Sequence, residues 1–178
     1  MSEIYRALIA DRERLDQIID DVTAAHHAGA NILVLTTWID HLTAIVGQLT
    51  AAGLEGVIVS RGGMKAGEGQ ASTAAIASRV GQGMPLLIVG TGPYIGEGFD
   101  CPALDTLFLA APVKFKGRLI QYVGRITRVR PGKTSATVHD YYDAATPLLA
   151  KTLQDRAPGY TELGFPGPPG LLPEISSY

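Results

Sequence analysis

Apolar and polar positions along this 178-residue chain follow two alternating periods. Leu15, Ile18, Ile19 and Val22 recur at helical spacing and Gly29 supplies a stop signal, so the pattern predicts an amphipathic helix leading into a first strand. Short apolar runs follow at Ile32 to Leu35, Val57 to Val59, Leu86 to Val89, Thr106 to Leu109 and Thr137 to Tyr141. Helical patterns separate them, as with Trp38, Leu42, Ile45, Val46 and Leu49. Strands interleaved with helices imply right-handed crossovers and an α/β fold whose mostly parallel central sheet is covered on both faces. Ligands of such sheets bind beyond the carboxyl ends of strands, where Thr36, Thr91 and Ala110 are expected.

From Pro158 onward, Pro166, Pro168, Pro169 and Pro173 lie among several glycines. Such a segment is expected to continue neither a helix nor a central strand. It divides the chain into a folded domain with an N-terminal amphipathic helix, residues 1–156, and a Pro/Gly-rich tail, residues 157–178, that either docks or is disordered.

Length fits one domain, since a globular chain of about 150 residues buries roughly 70% of its unfolded surface. No apolar run approaches the length of a membrane span and no basic region precedes an apolar signal core, so no membrane partner and a cytoplasmic location are expected. The lone Cys101 excludes an internal disulfide and any multi-cysteine zinc site, and reads most simply as a buried small residue. The four histidines show no ligand spacing, so no metal site is expected.

A net charge of -2 does not advertise a nucleic-acid binder, but the charges are unevenly spread. Between Asp105 and Asp140 there is no acidic residue, whereas Lys114, Lys116, Arg118, Arg125, Arg128, Arg130 and Lys133 all fall there. A local basic stretch attracts phosphates while the whole domain stays mildly acidic; a chance surface cluster would look the same.

Within that stretch, Gln121-Tyr-Val-Gly124-Arg125-Ile-Thr-Arg128 separates packing from chemistry if it is helical. Gln121, Arg125 and Arg128 then share one face at i, i+4 and i+7, while Leu119, Val123 and Ile126 form a second set about 200° away. Arginine forks match phosphate oxygens in bidentate geometry, and a small residue such as Gly124 lets a polyphosphate approach closely. A solvated helix face would carry the same stripe, and the residues alone leave both readings open.

The string Q-x-x-G-R-x-x-R resembles motif VI of the superfamily 2, DEXD/H-type helicases, whose second RecA-like domain supplies arginine fingers to ATP held by the first. Upstream, Thr91-Gly92-Pro-Tyr-Ile-Gly96-Glu97-Gly98-Phe99-Asp100-Cys-Pro102 is similar to motif V, and Ile32-Leu-Val-Leu-Thr36-Thr37 resembles the region around motif IV. The three blocks occur in family order and cover about Asn31 to Tyr142. The resemblance implies a three-layer RecA-like domain in which Arg125 and Arg128 are fingers and Gln121 couples their helix to the nucleotide. It places Gly98, Asp100 and Gly124 beside the nucleotide, Thr91 and Gly92 on the nucleic-acid backbone, and Thr36 and Thr37 as further phosphate contacts. Gln121 in place of histidine is closer to the DNA-directed branches, the restriction-type and phage helicases, so DNA is expected over RNA.

The chain departs from the family in holding neither a Walker A sequence nor an acidic D-E-x-[DH] box. ATP and Mg²⁺ would therefore be held mainly by a separate N-terminal RecA-like domain carrying Walker A and B, in cis or in trans, and this chain alone is expected not to hydrolyse ATP. Gly132-Lys133-Thr134 imitates the end of a P-loop, yet Thr127 stands where the first glycine is required and the string follows a helix instead of a strand. Two other classes stay open: a non-catalytic nucleic-acid-binding or regulatory RecA-like module, and a Rossmann-type cofactor protein. The last rests on Gly90-x-Gly92, with Ile95 at the third glycine position and Pro93 across the expected helix start.

Overall fold

The computed structural model describes residues 3–96, 99–113 and 116–167. Helices α1 (Glu3–Ala10) and α2 (Arg12–His27) precede β1 (Ile32–Thr36). Strands and helices then alternate through α3 (Ile39–Ala51), β2 (Ile58–Ser60), α4 (Ala66–Gln82), β3 (Leu87–Thr91), α5 (Gly92–Gly96), β4 (Thr106–Leu109), α6 (Lys116–Ile126), β5 (Thr137–Asp140) and α7 (Pro147–Glu162). The strands form one sheet in the order β2-β3-β1-β4-β5, and every pairing is parallel.

Strand side chains alternate between faces, so one apolar run feeds two cores. Leu33, Leu35, Ile88, Leu107 and Leu109 point to a face covered by Leu119, Tyr122, Val123 and Ile126 of α6 and by Leu153 and Tyr160 of α7. Ile32, Val34, Leu87, Val89 and Phe108 point to the other, covered by Ile18, Ile19 and Val22 of α2 and by Leu42, Ile45 and Leu49 of α3. The result is the expected three-layer α/β domain. The expected strands all form, each within a residue or two of its apolar run. Among the described residues, no helix is long and apolar enough to cross a membrane.

Polar staples hold both ends of the sheet. At the amino end Asp105 accepts from the Asn31 backbone N–H (3.0 Å) and side-chain NH2 (3.1 Å), while the Asn31 side-chain oxygen Oδ1 accepts from Leu86 N–H (3.1 Å). At the carboxyl end the buried Arg14 guanidinium donates to the Ala110 carbonyl (2.7 Å) and to Asp143 (2.8 Å).

The expectation that the chain continues no helix from Pro158 is corrected. Helix α7 continues through Pro158 to Glu162. Proline costs a helix its i−4 bond, but Pro158 is exposed, where water can meet the freed carbonyl. Arg156 and Tyr160, one turn apart, both grip Asp140 at the end of β5, and that grip outweighs the local preference. The remainder of the tail from residue 168 lies outside the described residues.

Candidate functional site

Helix α6 buries Leu119, Tyr122, Val123 and Ile126, leaving Gln121 exposed and Arg125 half-buried one turn apart. Its packing face is the expected one. Its length is not: α6 ends at Ile126, so Arg128 does not share a helical face with Gln121 and Arg125. The Thr127 amide and hydroxyl both donate to the Val123 carbonyl (3.1 and 3.2 Å), and Pro131 disfavours helical backbone at Arg130.

Beyond that end, the Arg128 guanidinium forms an ion pair with the Asp100 carboxylate. Residues of the motif VI-like and motif V-like strings thus meet in space. Both side chains are roughly half exposed, so the pair contributes at most about 1 kcal/mol and is readily exchanged. Its location follows from topology. The segment 92–105 runs from the carboxyl end of β3 to the amino end of β4, and α6 returns from the carboxyl end of β4 to the amino end of β5. Asp100 and Arg128 belong to the returning ends of these connections, beside the start of β4 and β5.

Thr36, Thr37, Thr91 and Gly92 lie at the opposite, carboxyl end, where Thr36 and Thr91 are register partners. They are not equally presented. Thr36 is 2% exposed and its hydroxyl is bonded to His41 Nδ1 (2.9 Å), which removes it from the surface a phosphate would meet. Thr91 is also buried, and its hydroxyl accepts from Gly62 N–H (3.3 Å). Thr37 is exposed. Gly92 has a packing reason to be glycine: a Cβ there would sit 2.2 Å from the Tyr122 hydroxyl. Gly98, expected beside the nucleotide, lies outside the described residues.

A Cβ at Gly124 would meet nothing within 4 Å, so a ligand can approach the backbone next to Arg125. No group of three His, Cys, Asp or Glu among the described residues is placed to hold a metal ion.

No protein-family model and no curated protein matches the chain. Solved structures do match. T4 UvsW aligns with a TM-score of 0.73 at 22% identity, over 92% of this chain and 35% of that one. The E. coli DEAD-box protein SrmB, bound to regulator of ribonuclease activity A, aligns with 0.62 at 19% identity, over 92% and 91%. S. cerevisiae Dbp5, bound to RNA and ADP BeF3, aligns with 0.58 at 13% identity, over 85% and 36%. The fold is that of the C-terminal RecA-like domain of helicases. The chain spans about a third of the length of UvsW and of Dbp5.

Sequence reasoning passed over two residues. His41, one turn after Thr37, is 1% exposed and occupies the Thr36 hydroxyl. Burial, with the nearby Arg14 charge, holds its imidazole down from the usual 6.5 to about 4. Lys133, set aside with the imitation P-loop, donates its ammonium to the carbonyls of Leu104 (2.6 Å) and Arg128 (2.9 Å). The Pro131-Gly132 pair was the available signal for it. Lys133 N–H bonds the Arg130 carbonyl (3.1 Å) with Gly132 at φ +84°, the signature of a type II turn with proline at i+1.

Proposed function

We propose that this chain is the C-terminal half of an ATP-dependent superfamily 2 helicase or translocase acting on DNA. The observation that supports it most is the meeting of Arg128 with Asp100, which joins the two strings most specific to that resemblance at one end of the sheet. ATP and Mg²⁺ would be held mainly by an N-terminal RecA-like domain carrying Walker A and B motifs. Closure of that domain onto this one would bring the triphosphate to Arg125 and Arg128. A γ-phosphate is a better bidentate partner for a guanidinium than a solvated carboxylate, so Arg128 would exchange Asp100 for it. Such a finger contributes about 10³ to 10⁵ in turnover. Gln121 would sense the same nucleotide from the preceding turn, and Thr37, Thr91 and Gly92 would lie along the strand at the other end of the sheet. The choice of DNA rests on Gln121 in the place of histidine.

Mixing the chain with the Walker-bearing domain and measuring phosphate release tests this reading. The chain alone should show no turnover, and the mixture should be stimulated by single-stranded DNA more than by RNA. Turnover by the isolated chain that is lost in Arg125→Ala would overturn the division of labour. DNA binding without stimulation in any mixture would favour the non-catalytic module.

A further inference from the structure

We infer that Lys133 is a positioning residue for Arg128, tying the loop that carries this arginine to the segment that carries Asp100. The inference rests on the reading of Arg128 as a finger. From Thr127 to Gly132 the loop buries no apolar side chain: Thr127, Arg128, Val129, Pro131 and Gly132 are exposed, Val129 to 97%, and Arg130 is half-buried. Hydrophobic burial therefore does not fix the Arg128 peptide. Polar contacts do, and the Lys133 ammonium makes the central ones. It donates to the carbonyls of Leu104 at 2.6 Å and Arg128 at 2.9 Å, with Pro102 at 3.5 Å. Leu104 and Pro102 follow Asp100 on the way into β4, so one ammonium spans both loops.

Lysine suits this task because its three N–H donors radiate from one atom, whereas the donors of arginine spread along a planar fork. The turn through Pro131 and Gly132 folds the chain back so that Lys133 reaches the carbonyl of Arg128. Burial pushes the Lys133 ammonium below its usual pKa, as expected of a cation drawn off the surface onto carbonyls. With the peptide of Arg128 held, its side chain starts from a defined place beside Asp100 and need not be ordered when a polyphosphate arrives.

The test uses Lys133→Cys and its chemical rescue. Alkylation of the new thiol with 2-bromoethylamine restores an ammonium at nearly the length of lysine, and Cys101, at 4% exposure, is shielded from the reagent. In the chain alone, hydrogen exchange at residues 127–133 should quicken about tenfold or more in Lys133→Cys, with β1 and β3 unchanged, and should slow again after aminoethylation. In the ATPase assembled with the Walker-bearing domain, kcat should fall about ten- to a hundredfold with KM unchanged, and aminoethylation should recover it. Alkylation with iodoacetamide, which adds no cation, should recover neither. If Arg128→Ala also leaves turnover untouched, the finger reading falls and this inference with it. If Arg128→Ala abolishes turnover while Lys133→Cys matches wild type, only the lysine tie is wrong. Global unfolding of Lys133→Cys, or a rise in KM alone, would likewise overturn it, because the tie would then serve the core or the ligand and not Arg128.

Discussion

Arg156 and Asp140 form a buried bidentate pair, with Nε to Oδ2 at 2.8 Å and Nη2 to Oδ1 at 2.6 Å. The side chains are 2% and 10% exposed, and Tyr160 adds a hydroxyl bond of 2.6 Å to the same carboxylate. Removing one partner leaves a buried charge uncompensated. Arg156→Ala or Asp140→Asn should therefore cost about 3 to 5 kcal/mol of unfolding free energy by urea titration, against roughly 1 kcal/mol for Tyr160→Phe. Equal, small losses in all three would mean that α7 is held by its apolar contacts alone.

In the assembled ATPase, Arg128→Ala should lower kcat by about a hundredfold or more, corresponding to roughly 3 kcal/mol of transition-state stabilisation. Arg128→Lys should recover little, because lysine keeps the charge and loses the fork. Arg130→Ala is the control: its backbone carbonyl, not its guanidinium, closes the turn at Pro131. Equal losses at both arginines would reduce the segment to general basicity.

Binding of the chain to single-stranded DNA should be weak and tolerant of sequence. With about three phosphate contacts, raising salt from roughly 50 to 200 mM should cost on the order of tenfold in affinity. Fluorescence anisotropy with a labelled oligonucleotide measures this directly, and an affinity indifferent to salt would speak against phosphate contacts.

His41 makes stability depend on pH in a defined window. Its folded-state pKa, about 4, lies below the ordinary 6.5, so the neutral ring is favoured in the fold. The contribution is complete above 6.5 and is lost as pH falls from there through 4, about 3 kcal/mol in all. Urea unfolding at pH 7.5, 5.5 and 4 should show the decline, and His41→Leu should flatten much of it. His26 and His139, also held down by burial, account for a residual slope.

The strands were legible because a parallel sheet buried on both faces demands continuous apolar runs, and few other elements do. Helix α4 was not, because it has no fully buried residue and so no apolar stripe to read. Thr36 showed its place at a strand end but not that His41, five positions on, would turn back and take its hydroxyl. The arginine face was half right. Gln121 and Arg125 keep helical spacing, but the helix ends at Ile126, and the partner of Arg128 comes from a connection remote in sequence. Lys133 was misjudged for a related reason: pattern matching tests neighbours along the chain, while its acceptors at Leu104 and Arg128 are gathered by the turn and by β4. Pro158 follows the same logic, since the proline rule is local and the hold of Asp140 on Arg156 and Tyr160 is not.

The sparse seating of α4 divides the molecule into firm and yielding parts. Only Ile76 and Val80 lean on the core, aided by Ser72 Oγ on the Val59 carbonyl (2.7 Å) and Arg79 on that of Pro85 (2.9 Å). Little free energy is needed to lift such a helix while the sheet persists, so it should detach before global melting. Beneath it lies β2, which has β3 as its one strand neighbour among the described residues. An uncovered edge strand is a template for a second chain, and self-association on warming would accordingly start at Ile58–Ser60, from a form still largely native.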